Sequence, residues 1–257
     1  MLSKKEKKKA KRIFALTTVS LVFVLIILLF SRPTATSEIR FVNYPDFGIY
    51  IPENFSIHGI DVSKYQSDID WQRVKNMKSK DIQLGFCFMK ATQGIQGKDP
   101  FFQRNWQQAK AGGLVRGAYH FFIGSKDGAK QAANFLSSVR FSPGDLPPVL
   151  DIEQSNGATV QQLRTEAKKF LDIVEKAVGV KPIIYTNIDF YERTLSEGFE
   201  EYPLWIAHYY QMQAPRINRH WHFWQHSDRG RVNGINGKVD FNVFQGDSND
   251  FRQLLLQ

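Results

Sequence analysis

The chain has 257 residues, enough for one large domain or two small ones, and its 21 Phe and 5 Trp supply an ample apolar core. The formal charge of +9 suggests a nucleic-acid partner until it is located: residues 1–12, MLSKKEKKKAKR, hold seven Lys or Arg against one Glu, leaving +3 for the rest. A near-neutral body has no electrostatic footprint for nucleic acid, and the lone Cys87, between Phe86 and Phe88, excludes an intrachain disulfide and reads as core filling.

Residues 13–30, IFALTTVSLVFVLIILLF, carry no charge. As a helix they would span about 27 Å, near the thickness of a bilayer's hydrocarbon. The lysine block before them places that end in the cytoplasm and the remainder outside. A cleaved signal peptide is the competing reading, but the run exceeds a usual signal core, so an N-terminal transmembrane helix is expected. Residues 31–55, with three prolines and no sustained periodicity, read as a linker, and the catalytic body is expected over 56–257.

From Ile57 a rhythm begins. A short apolar strand (57–63) precedes a helical pattern over 69–79 with Trp71, Val74 and Met77 on one face. A strand (83–92) leads to a helix (100–113) that opens at a proline and stops at glycines. The pattern repeats as strand 114–122 and helix 127–139, then strand 147–153 and helix 159–179. A fifth strand (181–187) is followed by a weaker helical stretch at 189–195. Trp71 and Trp106 sit mid-helix and read as core. After Tyr202 three strands (204–210, 222–228, 238–246) follow without good helices between them. Five β-then-α units imply a parallel sheet, and eight strands suffice to close a barrel, so the fold class is an α/β, TIM-like (β/α)5β3 barrel.

Function in such a barrel collects at the carboxyl ends of the strands. The polar residues late in each strand are Asp61, Lys90, Tyr119 and His120, Asp151 and Glu153, Tyr185 and Asn187, and then His208, Gln225 and Asp240. PPVLDIEQ (147–154) stands out because an apolar strand ends in two acids. Alternation turns Asp151 and Glu153 to one face, with Cα atoms about 6.6 Å apart. Carboxylates that close disfavour joint ionisation, so one holds a proton near neutrality while its neighbour stays charged, the division glycoside hydrolysis uses. A metal site or a cap for the next turn are the other uses of a D-x-E at a strand end. Tyr119, Tyr185, Trp205, Tyr209, Trp221 and Trp224 offer ring faces on or near the same strands, for stacking on sugars or for core packing.

Taken in order, HGIDVSKYQSDIDW, FMKATQG, GAYHFF, PVLDIE, PIIYTN, LWIAHY and WQHSDRGRVNGINGKVDFNVF resemble the family 25 glycoside hydrolases over about residues 57–246. These are lysozymes (N-acetylmuramidases) that cut peptidoglycan between N-acetylmuramic acid and N-acetylglucosamine. The resemblance implies a (β/α)5β3 barrel, Glu153 as general acid, Asp151 assisting the substrate's 2-acetamido group, and Asp61 and Asp240 flanking the site. It implies a sugar groove lined by Tyr119, Tyr185 and Gln225, with Trp205 and His120 as further candidates, His120 serving equally well as a hydrogen-bonded core residue. It leaves open whether a carboxylate nucleophile acts instead. The chain departs from the common pattern at Gln93, where many relatives carry a glutamate. The partners implied are peptidoglycan strands and, through residues 13–30, a membrane. A monomer is expected, with no cofactor and no metal, since the histidines lack ligand spacing. An inert glycan-binding barrel and a chitin-cutting barrel are the competing readings. The longer acidic run of chitinases is absent before Asp151, where Val149 and Leu150 stand.

Overall fold

The computed structural model describes residues 39–257. The expected membrane segment, residues 13–30, lies outside the described residues, and none of the described helices is long and apolar enough to cross a membrane.

The stretch expected to be linker is in part structured. Strands β1 (Phe41–Tyr44) and β2 (Ile49–Pro52) form an antiparallel hairpin, turned at Gly48 with φ +68°. Tyr44, Phe47 and Ile51 are fully buried, and the Phe47 ring meets Phe241 at 5.2 Å, so the hairpin is part of the core. Each strand has only four residues, too few to register as periodicity.

The barrel starts at β3 (His58–Val62). Helix α1 (Trp71–Asn76) begins where the Asp70 side chain accepts from the Arg73 amide at 3.1 Å. It is shorter than the 69–79 expected from the pattern. Met77 is already extended, and β4 (Lys78–Ser79) folds back onto β5 (Ile82–Gln93). The 12-residue β5 reaches beyond the barrel to pair with β6 (Gly97–Lys98). Then come α2 (Phe102–Ala111), β7 (Val115–Phe121), α3 (Gly128–Ser138), β8 (Val149–Asp151), α4 (Val160–Val178) and β9 (Ile183–Asn187). The weak helical pattern after β9 is one α-helical turn, Ile188–Phe190, running into a π-helical turn, Tyr191–Leu195. Strands β10 (Leu204–Ala207), β11 (Phe223–Gly230) and β12 (Val239–Phe244) follow, then a helix α5 (Ser248–Leu254) that periodicity had not suggested.

Eight strands close in the order β3-β12-β11-β10-β9-β8-β7-β5 and back to β3. All neighbours are parallel except β12, which runs antiparallel to both β11 and β3. The interior is layered by strand alternation. Phe86, Phe223 and Phe244 fill the bottom, sealed from below by Phe251 of α5 at 5.1 Å from Phe244. Phe88 stacks on Trp205 above them, with ring centres 4.3 Å apart and planes 22° apart. Phe88 fits because its neighbour on β7 is Gly117, where a Cβ would stand 2.4 Å from the ring. The layer above that aromatic floor is polar.

Candidate active site

Asp61 on β3 pairs in register with Asp240 on β12, and Asp151 on β8 lies between Phe121 of β7 and Tyr185 of β9. Asp240 had been grouped with residues late in their strands. It lies near the start of its strand instead, and the antiparallel course of β12 brings that start to the same rim. Ile152 turns outward into the surrounding core while Asp151 faces in, the alternation expected from the sequence.

Asp61 is the endpoint of a directed hydrogen-bond network. Its Oδ2 accepts from Gln225 Nε2 at 2.7 Å and from Asn242 Nδ2 at 2.8 Å. The amide of Gln225 is oriented by two phenols, since Tyr185 and Tyr209 donate to its Oε1 at 2.7 and 2.6 Å. The amide of Asn242 is oriented by Trp205, whose Nε1 donates to Oδ1 at 2.8 Å. Every donor in this chain points toward Asp61, which favours its anion. Burial works the other way and outweighs the donors, raising the Asp61 carboxyl above its ordinary value. Asp240, hydrogen-bonded to Asp61, is raised further by its own burial and then by the Asp61 charge, so a proton between the two resides on Asp240.

The second acid pair has a different setting. Asp151 is 6% exposed, and its Oδ1 has no hydrogen-bond partner. Its carboxyl is pushed well up by burial and by Glu153, against the pull of Lys90. Glu153, half-buried just past the end of β8, is raised by burial, with Lys90 again opposing. Of the two, Asp151 is the more deeply buried, so the pair is best described as sharing a proton rather than fixing it on Glu153. Tyr119 borders these acids from β7, half-buried, its phenol raised by burial and by Asp61 and Asp151.

Asp61, Asp151, Glu153, Asp240, Tyr119, Tyr185 and Gln225 are thus assembled at one rim. Two expected groove residues are placed elsewhere. Trp205 points into the barrel but one layer down, 2% exposed, where it is floor and hydrogen-bond donor rather than a platform for sugar. His120 faces outward: its Nδ1 pairs with Thr92 Oγ1 at 2.7 Å, its Nε2 with Gln131 Oε1 at 3.2 Å, and its ring stacks on Phe170. Asn187 caps the turn after β9 through the Phe190 amide. Asn242 belongs to the site without having been singled out, and Tyr209, noted only for its ring face, enters it through its hydroxyl. Asn242 was available from parity, two residues beyond Asp240 on the same strand face. Among the described residues, no three His, Cys, Asp or Glu side chains are grouped to hold a metal ion. A polar groove of about 1230 Å³ on the barrel's flank, between α1, α2 and residues 231–238, contains none of the four acids.

Two carboxyl pairs over an aromatic floor, one braced by amides and one with an idle acceptor, can supply a proton and orient a polar substrate from one side. The model of glycosyl hydrolases family 25 matches residues 60–235. The chain is 50% identical over 214 residues to YegX of Escherichia coli K12, covering 82% of this chain and 79% of that protein. It is 34% identical to lysozyme M1 of Streptomyces globisporus, over 74% of this chain and 68% of that one. Among solved structures, a family 25 glycosyl hydrolase from Bacillus anthracis superposes with a TM-score of 0.72 at 31% identity, covering 79% of this chain and 95% of that one. With the match running through the barrel that carries these acids, the chain belongs to glycosyl hydrolases family 25 and is a glycoside hydrolase of the lysozyme kind.

Proposed function

We propose that the protein hydrolyses the β-1,4 bond between N-acetylmuramic acid and N-acetylglucosamine in peptidoglycan, with Glu153 as general acid and Asp151 as the partner of the substrate's 2-acetamido group. The observation that carries this reading is the buried Asp151 Oδ1 without a hydrogen-bond partner, beside a half-buried Glu153. A buried acceptor left unpaired is costly, and an amide N–H arriving from the sugar would satisfy it. Such a donor stabilises the Asp151 anion and so moves the pair's proton onto Glu153, where the leaving oxygen needs it. As Glu153 protonates that oxygen and the glycosidic bond breaks, the acetamido oxygen forms a bond to the anomeric carbon. Asp151 holds the N–H of the cationic ring that results. Glu153, now a carboxylate, takes a proton from the water that opens this ring, and the anomeric configuration is retained. Tyr119, on the interior face next to Asp151, is the aromatic side chain best placed to line the sugar groove.

The reading extends to location: residues 1–12 inside, 13–30 across the cytoplasmic membrane, and the barrel acting as a monomer on cell wall outside it. Support comes from the sequence alone, an uncharged 18-residue run behind a lysine block. Detection in the membrane fraction at full length is expected, and a soluble shortened product would exclude the anchor.

For the chemistry, Glu153→Gln should reduce release of reducing ends from peptidoglycan by at least about a hundredfold, the scale of a general-acid contribution. A thiazoline analogue of the cyclised sugar should inhibit. A Glu153→Gln variant of near-normal rate would refute the role, and faster cleavage of chitin oligomers than of muropeptide glycan would refute the substrate.

A further inference from the structure

The acid cluster contains one cation that the chemistry above has not used. Lys90 stands on the interior face of β5, paired in register with Tyr119, and is half-buried. Its Nζ donates to Gln93 Oε1 at 2.8 Å and lies 4.4 Å from the centre of the Phe121 ring. Phe121 is the register partner of Asp151, so the ammonium lies on the side of the barrel that carries the Glu153–Asp151 pair, near enough for its charge to act on both carboxyls. Its partner Gln93 is a neutral amide, which fixes the ammonium without neutralising it. A carboxylate at that position would do both.

The other charged and titratable groups facing this pair are few. Asp61 and Lys64 come from β3 and the turn after it, and Asp99 from the loop before α2, where its Oδ2 accepts from the Lys64 amide at 2.7 Å. Tyr119 comes from β7, Tyr185 from β9, Tyr209 from the segment after β10, and Asp240 from β12. Lys64 is solvent-exposed, where water and salt screen it, so among the described residues Lys90 is the less screened of the two cations.

We propose that Lys90, held over Phe121 by the neutral Gln93, is a positioning residue that sets the pH window of catalysis by supplying, among the described residues, the half-buried positive charge that acts on Glu153 and Asp151. The proposal rests on the role given above to that pair. A cation favours both carboxylate anions, so removing it moves both ionisations to higher pH.

Two measurements on the intact protein test it. In Lys90→Met, both limbs of the pH profile of kcat/KM on peptidoglycan should move to higher pH. Gln93→Glu, which keeps Lys90 and adds an opposing charge, should move them the same way, and Lys90→Arg should restore the original limbs. In parallel, carbon-13 NMR titration of the Glu and Asp carboxyls without substrate should show the pair titrating at higher pH in Lys90→Met and in Gln93→Glu. A merely structural Lys90 lowers the rate at every pH with the limbs in place, and limbs and titrations that coincide with the parent's in both variants overturn the proposal. If Lys90→Met does not fold, Gln93→Glu carries the test. Displaced titrations in a protein that leaves peptidoglycan intact would refute the muramidase reading while sustaining the charge assignment.

Discussion

Arg116 on β7 and Asp145, in the segment before β8, make a buried ion pair. Their side chains are 7% and 2% exposed, and the contact is two-pronged, Nε to Oδ1 at 2.8 Å and Nη2 to Oδ2 at 3.1 Å. Arg116 also donates from Nη1 to the Trp106 carbonyl at 2.6 Å, and its Cζ lies 3.8 Å from the centre of the Trp106 ring. In Arg116→Met the stem is replaced, but Asp145 keeps only the Ser142 amide and hydroxyl, at 2.8 and 3.1 Å, to offset a buried charge. Stranding one member of such a pair costs about 3–5 kcal/mol. For a domain of this size each kcal/mol is worth about 2–4 °C, so the melting temperature should fall by roughly 6–20 °C in calorimetry. Arg116 sits low on β7, below Tyr119, so kcat at temperatures where the variant remains folded should be unchanged. Arg116→Met combined with Asp145→Leu should recover most of the loss, because no charge is then left without a partner. A single-variant loss below about 1 kcal/mol, typical of an exposed pair, would refute this account, as would a double variant no better than the single one.

Gly117→Ala would drive a methyl group into the Phe88 ring, at a cost of about 1–3 kcal/mol measured by chemical denaturation, with a fall in kcat as the floor under Asp61 shifts. Asp240→Asn should abolish hydrolysis yet raise the melting temperature at pH 8. The folded-state carboxyl titrates above its unfolded value, so its contribution to stability is present in acid and lost as pH rises; the gain should therefore vanish near pH 4. The buried histidines act in the opposite sense. His58 is lowered to about 4 and His226 to about 3 by burial, and neither ring nitrogen of His226 has a partner. Between pH 6.5 and those values the unfolded chain binds the extra protons, so each histidine removes about 1.4 kcal/mol of stability per pH unit as acid is added. The raised carboxyls oppose this trend, so the test is the difference between proteins: the urea midpoint of His226→Phe relative to the parent should rise from pH 6.5 to 4.5, and a difference that stays constant with pH would count against the assignment.

The barrel was legible because parallel units announce themselves, each strand a short apolar run and each helix an amphipathic one. The site was legible where parity and strand end agree, as at Asp61, Asp151 and Gln225. Depth was not. Trp205 shares its face with Ala207 at the rim, but lies one layer lower, and one strand gives no measure of how far its neighbours rise around it. His120 could have been set aside from sequence, since Tyr119 and Phe121 face inward and the residue between them must face out. The antiparallel course of β12 could have been read from its eight-residue link to β11, which holds no helix and is too short for a parallel crossover. The 41–52 hairpin and α5 were missed because their order comes from docking on the barrel rather than from any repeat of their own.

The seam of the barrel joins the earliest strand of the ring to the latest, β3 to β12. The Asp61–Asp240 pair therefore exists only after nearly the whole polypeptide has emerged from the ribosome. Up to that moment the nascent sheet is open along both margins, and the Phe251 plug that closes its base arrives later still. The four acids are thus brought together in one late closing step, and a polypeptide that stops short of β12 has no assembled centre.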